Sequence, residues 1–352
     1  MPIRSVVFMI PGNLETLTGG YGYDRRIAGG LRNQGWSVTV QSLDESFPDP
    51  TPFAREDARR QFAAVDDDAV VLVDGLAFGV LADEAESEQR RLRLVALVHH
   101  PLADETGIDH QRAASLIASE TRALATARLV VVTSRPTGAA LARYGVAADR
   151  IAVVEPGTDS AALARGSTGD PVHLLCVASL IPRKGHEVLV EALARVPHKA
   201  WHLTCVGSVE RDPETAARVR AMLAQYDLAD RVTFTGDLHL PELDREYDRA
   251  DVFVLPTFHE GYGMVVGEAL ARGLPVVSCP TGAITELVTP DAGLLVRAGD
   301  VDALTKALDH VIASREARSR LAAGARQVRD RLPTWDTAAR RMADALERAG
   351  QS

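Results

Sequence analysis

Three cysteines, three lysines and no apolar run of transmembrane length are what this chain has least of, and each scarcity excludes something. Cys176, Cys205 and Cys279 are odd in number, lie in apolar runs and show no CxxC spacing, which speaks against a disulfide framework and a zinc cluster. Buried free thiols in a reducing cytosol are expected instead. Lys184, Lys199 and Lys306 are the whole lysine complement, and the formal net charge is -9. A general nucleic-acid binder needs clustered positive charge, so that class is set aside, although a local basic cleft is not. The opening MPIRSVVFMIPG is too short in apolar residues for a signal peptide and lacks a cleavage pattern, and nothing approaches the roughly 20 apolar residues that span a bilayer. The expectation is a cytoplasmic protein, at most peripheral to a membrane.

What is present is an ordinary globular composition, 46% hydrophobic and 25% charged, over 352 residues. That length exceeds one compact core, and two domains are expected. Short β-branched runs alternate with longer amphipathic segments, as in parallel sheets covered by helices on both faces. The first half offers strands at Ser5–Ile10, Ser37–Gln41, Ala69–Val73, Leu94–Val98, Leu129–Val132 and Ile151–Val154. The second offers His173–Ala178, His202–Val206, Val232–Phe234, Val252–Leu255, Pro275–Ser278 and Gly293–Val296. The fold class is therefore α/β, two doubly wound Rossmann-like domains, with Ser160–Pro171 read as the linker. The domains are placed at 1–165 and 166–331, and Leu332-Pro333 lets a last helix, 332–352, return to the first domain. In such sheets ligands bind beyond the carboxyl ends of the strands, which makes an interdomain cleft the expected site.

The segment ADVFVLPTFHEGYGMVVGEALARG, Ala250–Gly273, is the most informative. A strand runs into a Pro/Gly loop and then a helix from about Met264, so Glu260 falls in the loop and Glu268 about one turn inside the helix. The free N–H groups of that helix start allow Gly261, Tyr262, Gly263 and Met264 to approach a diphosphate or sugar hydroxyls, and a carboxylate accepts from such hydroxyls. Two arbitrary glutamates would be solvated surface acids; the strand, glycine-rich loop and helix start weigh against that here.

This segment resembles the Glu-(seven residues)-Glu signature of the retaining, GT-B-fold glycosyltransferases of family 4, the glycogen-synthase-like group. The resemblance implies that Glu260 contacts hydroxyls of the transferred sugar and Glu268 the nucleotide ribose. A second stretch, Ala178–Leu193 (ASLIPRKGHEVLVEAL), resembles the family's Arg-x-x-Lys-Gly or Arg-Lys-Gly segment. Arg183 and Lys184 are accordingly expected to neutralise the departing nucleoside diphosphate without a metal, Arg183 as a planar fork and Lys184 as a point charge. An isolated Arg-Lys pair would be an exposed turn; its place between a strand and a helix argues for function. In PGNLETLTGGYGY, Pro11–Tyr23, the pair Gly19-Gly20 resembles the glycines that the family sets beside donor phosphates or acceptor, and there is neither a GxGxxG order nor a Walker lysine.

In LVHHPLADETG, Leu97–Gly107, His99 matches the family's strand-end histidine that faces the sugar, with His100 as the alternative. Adjacent histidines point to opposite sides of an extended chain, so an ion shared among His99, His100, Asp104 and His110 is awkward, and no metal is expected. Smaller matches are Pro156-Gly157-Thr158-Asp159, Asp237–Leu243 near the family's nucleobase pocket, and Thr281-Gly282 with Glu286.

The resemblance implies transfer of a hexose-type sugar from a nucleotide-diphosphate donor, a substrate and not a cofactor, to a small-molecule or lipid acceptor. Retention would follow front-face attack, with a covalent Glu260 adduct as the other route. A nucleotide-sugar epimerase of the same fold and a nucleotide-sugar-binding protein without turnover are the competing readings. Arginines 25, 26, 55, 59, 60, 90, 91 and 93 could meet anionic headgroups, against which stands an ordinary solvated surface.

Overall fold

The computed structural model describes residues 4–167 and 169–351. It contains two six-stranded sheets, every registered pair of which is parallel. The first sheet is built from β1 (Ser5–Pro11), β2 (Ser37–Leu43), β3 (Val70–Asp74), β4 (Arg93–Val98), β5 (Leu129–Val132) and β6 (Ile151–Val153), in the order β2-β1-β3-β4-β5-β6. The second comprises β7 (Val172–Val177), β8 (Trp201–Val206), β9 (Val232–Gly236), β10 (Val252–Leu255), β11 (Val276–Ser278) and β12 (Gly293–Leu295), in the order β12-β11-β10-β7-β8-β9. Each sequence-derived strand is present. β2 runs on to Leu43 because Ser42 and Leu43 still find partners in Ile10 and Pro11 of β1.

The chain forms two compact units, Thr158–Leu332 being one and the rest of the chain, before and after it, the other. Each sheet reverses its strand order once, between β1 and β3 in the first and between β7 and β10 in the second. Loops leaving the carboxyl ends of those strands diverge to opposite faces and leave a crevice, where ligands of open α/β sheets bind. The central strands are mostly buried, with Phe8, Met9, Val71, Leu72, Leu94 and Val95 fully enclosed in one unit and Leu174, Leu175, Phe253 and Val254 enclosed in the other. Cys176, Cys205 and Cys279 are free and buried.

Ser160–Pro171 does not behave as a free linker. Its residues up to Ser167 are bound to the second unit: Ala164 N–H donates to the Arg272 carbonyl at 2.9 Å and Gly166 N–H to that of Asp248 at 2.9 Å. Asp251 Oδ1 accepts from Ser167 N–H at 3.0 Å. The unit boundary therefore falls at Gly157/Thr158 and not at residue 165. Alanine, glycine and serine look like linker composition, but here small size lets the backbone lie flat on its neighbours; a Cβ on Gly166 would come within 2.7 Å of Asp251 Oδ1.

In the first unit the last helix, Trp335–Gln351, packs on the helix Gly19–Asn33, so closely that a Cβ on Gly30 would lie 2.5 Å from that of Ala339. Several of the arginines considered as headgroup ligands face acids of their own unit: Arg59 reaches Glu56 and Glu84, Arg60 reaches Asp57, and Arg91 reaches Glu88 and Asp67. No helix among the described residues is long and apolar enough to cross a membrane.

A buried carboxyl in this unit gives a pH signature. Glu120, on the helix His110–Thr126, accepts from Leu102 N–H at 3.2 Å, yet burial pushes its pKa up from 4.5 to about 7. The unfolded chain ionises Glu120 near pH 4.5 while the folded chain keeps it protonated to about pH 7, so stability falls as pH rises through that window and levels off above it. The difference amounts to at most about 3 kcal/mol. Glu120→Gln is expected to remove this decline. Urea midpoints of both proteins at pH 5 and pH 8 check it, and an equal decline in the two would contradict the assignment.

Candidate functional site

At the reversal point of the second sheet, the loop after β7 forms a short 3-10 turn, Pro182–Lys184, before the helix His186–Arg195. Gly185 joins them with φ +72°, and a Cβ there would sit 2.1 Å from the carbonyl oxygen of Pro256, in the loop that follows β10. The two loops are further tied by Phe258 N–H donating to the Arg183 carbonyl at 2.8 Å and by Arg183 Nη1 donating to the His259 carbonyl at 2.9 Å.

These ties bring Arg183, Lys184 and Glu260 together. Lys184 Nζ pairs with Glu260 Oε1, Arg183 Nη1 lies 3.8 Å from the same oxygen, and the Thr257 hydroxyl is 3.1 Å away. Burial of Glu260 alone would raise its pKa; the Lys184 and Arg183 charges, with the hydrogen bonds from Lys184 and Thr257, overcome it and hold the carboxylate below its ordinary range. Glu260 is 8% exposed, so it is no solvated loop acid. Its carbonyl is backed by Gly282, where φ is +51° and a Cβ would fall 1.8 Å from that oxygen.

Gly261 and Tyr262 lead to Gly263, whose φ of +87° caps the helix Met264–Ala271 without a side-chain hydrogen bond. Tyr262 is buried, and Met264 is the first helical residue. Glu268 lies within that helix in a setting unlike that of Glu260. Its carboxyl accepts from the Tyr247 hydroxyl at 2.9 Å, and Arg272 lies over the Tyr247 ring at 4.3 Å while donating to the Glu268 carbonyl at 3.0 Å. Burial raises its pKa, with Tyr247 and Arg272 opposing only in part. One carboxylate is thus fixed as an anion by cations, and the other is held by a phenol in a less polar place.

The remaining expected residues, Gly19, Gly20 and His99, belong to the first unit and are neighbours there. Gly19 starts the helix Gly19–Asn33 after the N-cap Thr18, and a Cβ on Gly20 would lie 3.8 Å from the His99 ring. His99 follows β4, and its Nε2 lies 3.4 Å from Asp24 Oδ1 and 3.3 Å from Asp74 Oδ2. The Tyr23 ring meets it edge-on at 5.4 Å. Burial disfavours the imidazolium, but Asp24 and Asp74 outweigh it and raise the His99 pKa to about 10. Burial likewise raises Asp24 to about 6, against the pull of His99. His100 turns to Glu105 at 3.7 Å and Asp104 pairs with Arg143, so His99, His100, Asp104 and His110 do not converge. Among the described residues the group close enough to share an ion is Asp24, Asp74 and His99.

Asp24, Asp74, Thr257 and Tyr247 escaped the sequence reading. Asp24 had a signal: it stands in the buried stripe Asp24, Ile27, Ala28, Leu31, where an acid at i, i+3, i+4, i+7 spacing is anomalous. Asp74 closes the apolar run of β3 at the strand's carboxyl end.

Comparison with known sequences and structures adds the following. Residues 162–328 match the family described as Glycosyl transferases group 1, and residues 37–162 match Glycosyltransferase Family 4. A D-inositol 3-phosphate glycosyltransferase of Xylanimonas cellulosilytica is 32% identical over 251 residues, 66% of this chain and 60% of that protein. A GDP-mannose-dependent alpha-(1-6)-phosphatidylinositol monomannoside mannosyltransferase of Mycobacterium tuberculosis is 30% identical over 186 residues, 51% of this chain and 48% of the relative. The match thus spans between about half and three fifths of the length of these relatives. Among solved structures, a sucrose-phosphate synthase from Thermosynechococcus elongatus superposes with a TM-score of 0.81 at 22% identity, covering 97% of this chain and 98% of the other. The Anabaena HepE protein in complex with UDP-glucose gives 0.76 at 18% identity, covering 97% and 99%. These likenesses establish the two-unit GT-B architecture. With both family profiles meeting end to end over residues 37–328, the chain belongs to glycosyltransferase family 4.

Proposed function

We propose that the chain is a retaining glycosyltransferase that moves a hexose from a nucleotide-diphosphate sugar to a hydroxyl of an inositol-phosphate-bearing acceptor. The observation that carries this is the group of Arg183, Lys184 and Glu260 at the reversal point of the second sheet, beside a helix start opened by Gly263. Two cations there would meet the charge that grows on a departing diphosphate, most of the electrostatic work of such a transfer, with no ion needed at the phosphates. Glu260 would accept from sugar hydroxyls and Glu268 from the ribose.

Glu260 is already engaged by Lys184 and Thr257, which supports front-face attack over a covalent Glu260 adduct. In that step the acceptor oxygen bonds to the anomeric carbon as the bond to the diphosphate breaks, and the acceptor proton passes to the departing phosphate oxygen. The acceptor class is drawn from the relatives, whose names contain inositol 3-phosphate and phosphatidylinositol monomannoside.

Calorimetric titration of the full chain with UDP, GDP and ADP tests the reading. One nucleotide should bind, in EDTA as well as without it, and Glu268→Ala should weaken it about 10- to 100-fold, as expected for losing hydrogen bonds to a charged acceptor. Absence of binding by all three would remove the proposal.

A further inference from the structure

Tyr247 is packed as a core aromatic, yet its hydroxyl is aimed at the second carboxylate of the site. It belongs to the helix Leu240–Arg249, is 0% exposed, and stacks on Phe253 of β10 with 6.2 Å between ring centroids. For packing alone phenylalanine would serve, without a hydroxyl to strip of water. That hydroxyl has one proton and two acceptors in reach, Glu268 Oε2 at 2.9 Å and the Val265 carbonyl at 3.4 Å. The carbonyl lies inside the helix Met264–Ala271, whose regular ladder supplies its donor, so the proton goes to the nearer carboxylate.

The ring is itself held. Arg272 lies over it at 4.3 Å, donates to the Glu268 carbonyl at 3.0 Å and pairs with Asp244, which shares a helix with Tyr247. The helix Leu240–Arg249 therefore grips Glu268 twice, by its side chain through Tyr247 and by its main chain through Asp244 and Arg272. Among the described residues none donates to Oε1, and Glu268 is half-buried, so that oxygen is left for a ligand.

We propose that Tyr247 is a positioning residue for the donor, fixing the Glu268 carboxylate in the orientation that accepts from the ribose hydroxyls of the nucleotide. The proposal rests on the reading of Glu268 as the ribose ligand. Unheld, a glutamate on a helix samples several rotamers, and binding would have to order it. Held by the phenol, it meets the nucleotide already ordered. The same bond favours the charge state that is needed. Burial pushes the Glu268 carboxyl up, as do the nearby charges of Asp159 and Asp244, while the Tyr247 hydrogen bond and the Arg272 charge pull it down. A carboxylate that only accepts is the form suited to hydroxyl donors.

Calorimetric titration of the full chain tests this with two probes. One is whichever of UDP, GDP and ADP wild type binds; the other is its 2′,3′-dideoxy form, which keeps base and diphosphate but offers no ribose hydroxyl. Wild type, Tyr247→Phe, Glu268→Ala and the double variant are compared. Tyr247→Phe should bind the ribonucleotide about 3- to 10-fold more weakly, the effect of ordering one rotamer-rich side chain on binding, and the dideoxy form as wild type does. Unchanged dideoxy affinity also shows that the second unit, which carries Tyr247, is folded. In the Glu268→Ala background the same substitution should change nothing, because its effect passes through that carboxylate. An equal loss for both probes, or the same loss with and without Glu268, would make Tyr247 a packing residue and overturn the proposal. So would wild-type affinity of Tyr247→Phe for the ribonucleotide, an outcome that leaves the glycosyltransferase reading intact. If wild type binds none of the three nucleotides, that reading falls and this proposal falls with it.

Discussion

Lys184→Ala is expected to lower kcat/KM for sugar transfer by about 100- to 1,000-fold, the usual effect of deleting one preorganised charge that stabilises a developing anion. Two separate losses would combine in that variant. The first is chemical and rests on the proposed function: the diphosphate would leave with one cation fewer. The second is structural, because Glu260 is 8% exposed and Lys184 is its ion-pair partner, so removing the lysine leaves a buried carboxylate with Arg183 at 3.8 Å and the Thr257 hydroxyl. Breaking one side of a buried pair costs about 3–5 kcal/mol, and the Glu260 pKa should then rise as its largest compensating charge disappears. A second variant separates the two. In Lys184→Ala/Glu260→Gln no buried charge is orphaned, so the thermal midpoint should recover most of what Lys184→Ala lost, while kcat/KM stays low. Recovery of both together would mean that Lys184 serves only to hold Glu260 and does not act on the phosphates.

That interplay could not be read from the sequence, although its participants could. Arg183, Lys184 and Glu260 stand out because each follows a strand and precedes a helix, Glu268 because it lies about one turn inside the helix after Glu260, and the alternation of apolar runs with amphipathic segments locates all twelve strands. Such local signals carry the doubly wound architecture. The pairing of Lys184 with Glu260 spans 76 residues and depends on β7 and β10 being neighbours in the sheet, a fact of strand order that no local pattern encodes. Asp74 is an ordinary acid in its own segment, and Asp24, though anomalous in the buried stripe of its helix, carries no local mark of its partner; only the order β1-β3-β4 gathers both around His99. The stretch Ser160–Ser167 shows the converse error. Its composition is that of a flexible connector, yet long-range hydrogen bonds to Asp248, Asp251 and Arg272 bind it to the second unit.

Gly282→Ala is expected to destabilise the second unit by several kcal/mol and to abolish nucleotide binding, although alanine adds a single methyl group. Two costs arise at this position. A φ of +51° is left-handed backbone, which charges an L-residue about 1–2 kcal/mol. In addition, the new Cβ would lie 1.8 Å from the Glu260 carbonyl oxygen and 2.9 Å from that of Gly261. Both are main-chain atoms and cannot rotate away, so the loop carrying Glu260 must move. That displacement would draw Glu260 from Lys184 and disturb the helix start at Gly263, the two features on which donor binding is proposed to rest. Gly236→Ala supplies the matched control: its φ is +72°, but no atom lies within 4 Å of its Cβ position, so it bears the backbone cost alone, about 1–2 kcal/mol. Denaturant midpoints and nucleotide titrations of both variants check the comparison. If Gly282→Ala loses no more stability than Gly236→Ala and still binds nucleotide, the Glu260 loop can yield to a methyl group, and its fixed backing by Gly282 is not what positions the carboxylate.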